Sequence, residues 1–268
     1  MSLLTNIDSG ALLVWRRNAD VFFKTWKTNF LPSIFEPLLY LVAMGAGLGG
    51  LIVGLQYAGQ DIQYIRFLAP GLIAISVMYG GFFECTYGSF VRMHYQKTFD
   101  AIIATPTSIE DVITGEILWG ATKSFVNSTI VLLVIEALGI TFFPNVLFTA
   151  PTVLLIPVIA FLGGLMFSSI AMIFTGLVPN IDSFNYPFFL LVTPMFLLGG
   201  TFFPITQLPG AAQAFAYALP LTHVSVLTRD MCLGLVNWID LGSVIYIIIA
   251  TLLTFFPAIY FMKKRLVK

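Results

Sequence analysis

Charge is nearly missing from long stretches of this chain. Of its 268 residues only 13 are Lys or Arg and 13 are Asp or Glu, and they cancel to a net charge of zero. Such a sparse, balanced set gives no electrostatic footprint for nucleic acid. Cysteine is scarcer still. Cys85 and Cys232 show neither a metal-ligand spacing nor a disulfide framework, and the spans set out below put them near opposite membrane faces, where they do not pair. The two histidines, His94 and His223, read as structural residues, and with the cysteines they are too scattered for an intramembrane enzyme. HExxH, GxSxG and Cys/His metal motifs are all absent. The nearest approach to a phosphate-cradling loop, GATKS at Gly120 to Ser124, lacks the glycines required before Lys-Ser. No enzyme chemistry is legible, and no cofactor site is expected in this chain.

Hydrophobic residues fill the space that charge leaves. They make up 58% of the chain, and the mean hydropathy is +0.94. Several apolar runs approach about 20 residues, the length that crosses about 30 Å of hydrocarbon as a helix. A soluble core cannot absorb so many. The expectation is an all-α integral membrane protein with a single transmembrane domain over residues 1–268.

Six spans are predicted, at about Leu31–Leu55, Phe67–Val91, Leu118–Ile140, Leu147–Leu177, Phe184–Phe203 and Leu241–Met262. An even number puts both termini on one side. With the N-terminus cytoplasmic, Arg16, Arg17, Lys24, Lys27, Arg92, Lys97, Lys123, Lys263, Lys264, Arg265 and Lys268 lie inside, leaving only Arg66 and Arg229 outside. That bias predicts N-in, C-in. The N-terminal segment does not read as a signal peptide, because Arg16, Arg17, Asp20, Lys24 and Lys27 interrupt it. Over residues 11–30, Leu12, Trp15, Ala19, Phe22, Trp26 and Phe30 recur at helical spacing, with cations elsewhere around the turn. The pattern predicts an amphipathic helix in the headgroup layer; the competing reading is a helix half-buried against the protein's own bundle.

Two regions depart from plain spans. Residues 199–234 are broken by Pro204, Pro209 and Pro220, so short helices re-entering the outer leaflet are expected rather than a seventh span. Near the end of the first span, Gly45 with Gly49 and Gly50 with Gly54 are small-residue pairs suited to close intramolecular helix packing.

Three carboxylates fall within or at the edges of spans. Glu36 and Glu136 sit near boundaries and read equally well as solvated ends, whereas Glu84 lies about 12 Å deeper than Arg92. Glu84 is either a neutral carboxyl bonded to a neighbouring helix or a polar anchor on a transport path or gate. Aromatic residues cluster nearby, with Phe83 and Tyr87 on the second span and Phe196 on the fifth; they line a path or simply pack. A proton-coupled secondary transporter using Glu84 and Glu136 is one reading of these carboxylates.

Between the second and third spans stands KTFDAIIATPTSIEDVITGE, Lys97 to Glu116. Thr98 to Ala104 forms two helical turns with Phe99, Ile102 and Ile103 as apolar contacts and Asp100 among them. Pro106 ends that piece. Ser108 and Asp111 stand at capping-box spacing, so a second helix starts there and runs into the third span. The short first helix either docks on a cytoplasmic partner or lies on the headgroups.

This loop, with FFECTYGSFVRM before it and GGTFFPITQLPG and ALPLTHV after it, resembles the permease subunits of type-2 ABC exporters, in particular the NodJ-like branch associated with lipo-oligosaccharide export. The resemblance covers essentially the whole chain. It implies a six-helix permease of the bacterial inner membrane, paired as a homodimer and driven by a separate cytoplasmic ATPase that binds ATP and Mg. It makes residues 11–30 a connecting helix near the ATPase and Lys97 to Ala104 a coupling helix. On that basis Lys97, Phe99, Asp100, Ile102, Ile103, Arg16 and Arg17 contact the ATPase. Glu84, Tyr87, Phe83 and Phe196 then line the path or gate for an amphiphilic substrate. A drug- or polysaccharide-exporting permease of the same family is the alternative.

Overall fold

The computed structural model describes residues 7–52, 54–141 and 148–267, apart from the side chains of 27–30, 32, 33 and 46. Among these residues the regular secondary structure is helical except for one small hairpin. In order it forms α1 (Gly10–Lys24), α2 (Trp26–Tyr40) continuing through wide π-type turns at Leu41–Leu48, and β1 (Leu55–Tyr57) paired with β2 (Gln60–Ile62). Next come α3 (Tyr64–Phe83), extended by π-type turns at Glu84–Gly88 and Val91–Tyr95, then α4 (Thr98–Ile103), α5 (Ile109–Thr141) and α6 (Ile156–Leu177). The remainder is α7 (Asn185–Pro187), a wide turn at Phe188–Val192, α8 (Thr193–Leu198), α9 (Gly210–Ala218), α10 (Pro220–Leu233) and α11 (Asp240–Leu266).

Among the described residues five helical stretches are long and apolar enough to cross a membrane: Tyr64–Tyr95, Ile109–Thr141, Pro151–Leu177, Ile181–Leu198 and Asp240–Leu266. They match the second to sixth predicted spans. For the first, the helix runs continuously from Trp26 to Leu48 and contains the apolar stretch Ile34–Gly45. It does not reach Leu55, which pairs with Ile62 in a hairpin that the sequence reading missed. The hairpin turn places Ala58 at φ 49° and Gly59 at φ 76°, the two positive values that suit a two-residue turn between antiparallel strands.

The second span is the axis of the bundle. Its most apolar window is 83% buried, against 17% for the last span. Small residues let α3, α5 and α6 close on one another. A Cβ at Gly80 would stand 2.8 Å from Ser124 Cα, and one at Gly164 would stand 2.9 Å from Ala121 Cα. Across these contacts Ser124 Oγ donates to the Val77 carbonyl at 2.8 Å and Thr175 Oγ1 to the Cys85 carbonyl at 2.6 Å. Of the predicted glycine pairs, Gly45 does pack inside the chain, its Cβ position 2.8 Å from Ile65. Gly50 and Gly54 lie beyond the helix, with no described atom within 4 Å of a Cβ placed there, so among the described residues they pack no helix of their own chain.

One end of the bundle gathers α1, α4 and the last turns of α11. Asp8 N donates to Asp111 Oδ1 at 2.8 Å, and Lys263 Nζ to Glu110 Oε1 at 2.5 Å. The capping box forms as expected: Asp111 N donates to Ser108 Oγ at 3.0 Å and Ser108 N to Asp111 Oδ2 at 3.3 Å. The α1 helix is turned from its expected orientation. Ala11, Val14, Asn18, Ala19 and Phe22 are buried, while Leu12 is 60% exposed. The buried face sits on α5, with Trp15 Nε1 donating to Thr122 Oγ1 at 2.8 Å and the Phe22 and Trp119 ring centroids 5.5 Å apart. The helix therefore docks against the bundle and keeps Leu12 and Phe23 on its exposed side, with exposed Trp26 opening α2. The Phe30 side chain lies outside the described residues.

At the opposite end, the three prolines act as boundaries. Pro209 precedes α9 and Pro220 opens α10, where the missing N–H is harmless. The turn between them lies roughly 9 Å along α11 from Asp240, because Tyr246 Oη donates to the Ala218 carbonyl at 2.8 Å. His223 stacks on Tyr246 with its ring nitrogens bonded to Ser243 and the Tyr217 carbonyl; burial lowers its pKa, and its role is structural. Arg229, expected as an outer cation, is 2% exposed. It donates to the carbonyls of Phe67 and Gly200 at 3.2 and 2.7 Å and stacks 3.8 Å from the Phe67 ring centroid. Asp230 Oδ1 accepts from Tyr57 Oη at 2.8 Å, tying the hairpin to α10.

The Gly164→Ala variant is expected to lose about 1–3 kcal/mol of stability through overpacking, while Gly50→Ala, in open space, is neutral; melting of the purified variants in detergent tests the pair. Burial lifts the Asp230 carboxyl to about 6, with Asp240 adding to the rise and the Tyr57 hydrogen bond opposing it. An acid held above its unfolded pKa weakens the fold as pH climbs through that interval. Asp230→Asn keeps the acceptor for Tyr57 and should raise the melting temperature at pH 7.5 but not at pH 4; an equal shift at both values would refute the assignment.

Candidate functional site

Four ionisable side chains from α5 and the extended α3 helix meet near the α4 end of the bundle. On the second span, Glu84 and Arg92 stand eight residues apart with wide turns between them; on α5, Glu116 and Lys123 stand seven apart on one face. Arg92 bridges the carboxylates. Its Nη1 lies 2.7 Å from Glu84 Oε1 and its Nη2 2.5 Å from Glu116 Oε2, with Nε also donating to both Glu116 oxygens. Lys123 Nζ completes Glu84 at 2.7 Å, and Trp119 Nε1 donates to it at 3.1 Å. Glu116 further accepts from Ser89 Oγ at 2.5 Å and Asn18 Nδ2 at 2.8 Å. Glu84 and Glu116 are 7% and 1% exposed. Two carboxylates and two cations leave the knot electrically neutral, and hydrogen bonds occupy the remaining lone pairs, which makes buried charge tolerable.

Glu84 is thus an ion-paired anchor, not a neutral carboxyl bonded to a backbone. The knot also lies between two cavities. One, of about 410 Å³, is bounded by α2, α3 and α5 and lined by Glu36, Tyr40, Ser76, Tyr79, Phe83, Asn127 and others. The second, also about 410 Å³, opens beside Arg17, Asn18, Tyr87, Gln96 and Trp119. Glu84, Gly88 and Lys123 belong to the walls of both. Rings of the second and fifth spans run past this junction in a chain. Phe196 stacks on Tyr79 at 6.2 Å, Tyr79 meets Phe83 at 5.1 Å, Phe83 meets Tyr87 at 5.9 Å, and Tyr87 meets Phe184 at 5.1 Å. Of the four residues predicted for the path, Glu84, Phe83 and Tyr87 come together here, whereas Phe196 stands beyond Tyr79 and lines a separate cavity with Tyr40 and Phe202.

Sequence reasoning missed Glu116, Trp119 and Asn18, and took Arg92 and Lys123 only as orientation signals. The spacing of Glu116, Trp119 and Lys123 on one helical face was the available clue. Glu136 is separate, its Oε1 accepting from Phe148 N at 3.3 Å. The predicted partner-facing residues divide. Lys97 and Asp100 are 65% and 59% exposed and 3.8 Å apart; Ile102 and Ile103 are half-buried and Arg16 is exposed. Arg17 is half-buried and donates to Asn18 Oδ1 at 3.0 Å, next to the knot; burial lowers its pKa against the pull of Glu116. Phe99 departs from expectation. At 0% exposure it belongs to the chain's own core and offers nothing to a partner, so it seats α4. Lys97, which joins the second span to α4, adopts a left-handed backbone at φ 55°, a conformation uncommon for a residue with a side chain.

The GATKS segment lies in mid-helix within α5, where its backbone N–H groups are bonded along the helix and cannot cradle phosphate. Among the described residues there is no cluster of three or more metal-ligating side chains, and both cysteines are free.

Residues 10–233 match the family described as ABC-2 type transporter. Nodulation protein J of Rhizobium meliloti (strain 1021) is 40% identical over 223 residues, covering 83% of this chain and 81% of the relative. Nodulation protein J of Bradyrhizobium diazoefficiens is 35% identical over 258 residues, covering 95% and 93%. The inner membrane transport permease YadH of Escherichia coli (strain K12) is 24% identical over 257 residues, covering 94% and 93%. With its apolar helices and the match over residues 10–233, the chain belongs to the ABC-2 type transporter family as a multi-pass membrane permease.

Proposed function

We propose that this permease is the membrane half of an ATP-driven exporter of an amphiphile of the lipo-oligosaccharide or glycolipid class. A separate cytoplasmic ATPase would supply ATP and Mg chemistry, and a second copy of the chain would complete the path. The helix from Trp26 to Leu48 acts as the first of six spans, with the α4 end of the bundle cytoplasmic, in keeping with the basic residues gathered there. The α9–α10 pair is then the re-entrant outer segment, and the whole chain is one permease domain.

The observation that carries this reading is the seating of α4. A helix of six residues, held by the buried Phe99, presents Lys97 and Asp100 outward. It connects directly to the second span, which carries Glu84 and Arg92. Force applied to α4 reaches the knot through that span. The wide turns support a moving set: they occur in the helices of the first, second and fifth spans, whereas α5, α6 and α11 are regular. π-type turns often mark functional positions because they break the regular ladder. Opening of the knot would join its two cavities, and its closure would part them. The substrate class is the one that the resemblance to NodJ-like exporters implies, and a cavity that sets aromatic walls beside polar groups suits an amphiphile. The saturated pairing of Glu84 with Arg92 and Lys123 argues against the secondary-transport reading that uses Glu84 as a proton carrier.

The direct test is purification in mild detergent, where an ATPase should co-elute and candidate glycolipids should stimulate its turnover. Asp100→Arg, on an exposed position, should reduce coupled transport at least tenfold without lowering the melting temperature; normal transport would remove α4 from the coupling route. Arg92→Met leaves Glu116 without its cation and should cost about 3–5 kcal/mol. Adding Glu116→Met should recover stability but not transport, as measured by melting and by vesicle uptake. Full transport in the stable double variant would reduce the knot to a structural role.

A further inference from the structure

A cavity of about 630 Å³ lies between the end of the second span, α4 and the last turns of α6 and α11. Its wall combines Lys97, Asp100, Lys264 and Arg265 with Phe261 and Leu266, and His94 stands at its edge. The charges do not balance. Asp100 faces Lys97 at 3.8 Å, while neither Lys264 nor Arg265 has a carboxylate partner among the described residues. Arg265 is fixed in place by two carbonyls at the end of α6, donating through Nη1 to Thr175 O at 2.7 Å and to Val178 O. Its guanidinium also lies 5.1 Å from the Phe90 ring centroid. A cation held this way needs no further partner to order it, and only Nη1 is engaged in those bonds.

We propose that this cavity binds the phosphodiester headgroup of an anionic phospholipid from the adjoining leaflet, with Lys97, Lys264 and Arg265 as its cations. A soluble anion or an acidic side chain would use the charges alone. A lipid uses the whole wall, because Phe261 and Leu266 line it and the adjoining Tyr260 stands exposed on α11, with exposed Leu253 two turns back on the same face. Basic pockets where a helix leaves the bilayer suit such headgroups. Since Lys97 and Asp100 also belong to α4, an occupied cavity would steady the joint through which α4 meets the second span. That consequence rests on the coupling role proposed above; the binding itself does not.

Native mass spectrometry of the full-length permease, after exchange into detergent with equal phosphatidylglycerol and phosphatidylcholine, measures this directly. The wild type should retain phosphatidylglycerol in preference. Lys97→Gln with Lys264→Gln should cut that retention about 25-fold, about fivefold for each cation beside an anionic headgroup, whereas Lys24→Gln on α1 should leave it unchanged. Both lysines of the double variant are exposed, so its melting temperature should match the wild type. Equal retention by the double variant, equal retention of phosphatidylcholine, or displacement of the lipid by excess inorganic phosphate would each overturn the assignment. So would a variant that keeps the lipid and loses only a co-purifying ATPase, since the cavity would then serve an acidic protein group. Lipid retention is read without ATP or transport, so failure here is separable from failure of the exporter reading.

Discussion

Arg92 shared between two buried carboxylates is the constraint on which the rest of this structure depends. In a low-dielectric interior an uncompensated ion is far costlier than a missing hydrogen bond. Glu84 and Glu116 stand on different spans, so one guanidinium fixes the register of those spans to within a hydrogen-bond length. Lys123 and Trp119 then hold Glu84 from α5, and Asn18 brings α1 into the same arrangement. The knot is neutral as a whole, which allows it to sit inside. It is also directional, since each bond requires a particular helix rotation.

Around this point the molecule divides mechanically. On one side, α3, α5 and α6 approach so closely at Gly80, Ser124, Ala121 and Gly164 that no side chain larger than hydrogen fits at the glycines. Interiors packed to that degree move as blocks. On the other side lie α2 and the α7–α8 pair with their wide turns, and α7–α8 is the least regular of the five apolar stretches. The first cavity occupies the boundary between the two, and Glu84 and Lys123 of the knot stand in its wall. Such a boundary is where a small displacement can change which cavity meets solvent.

Much of this was legible in the sequence, for identifiable reasons. Hydrophobic run length reported the second to sixth spans because lipid imposes a minimum helix length. Proline positions reported the start of α9 and α10, and Ser108 with Asp111 reported the start of α5, because both signals are local. The hairpin at Tyr57 to Gln60 was hidden, since its strands are three residues each and follow directly on an apolar run. The candidate site was half visible. Glu84 and the aromatic residues stood out as unusual, but their partners are set by which faces of α3 and α5 meet, and periodicity within one helix does not specify a neighbour's rotation. Phe99 was misjudged for the same reason: a six-residue helix has too few turns to show which side is inward.

The α1 helix carries a consequence for biosynthesis. Its docking surface on α5, from Asp111 to Thr122, is made about 100 residues later in the chain. While the ribosome completes those residues, α1 has no protein face to bury. The bilayer surface is the apolar phase already at hand, and an amphipathic helix with Leu12 and Phe23 along one side is suited to wait there. The interfacial signature in the sequence then records where α1 stays during synthesis, and the buried stripe of Ala11, Val14, Asn18 and Phe22 records where it finishes.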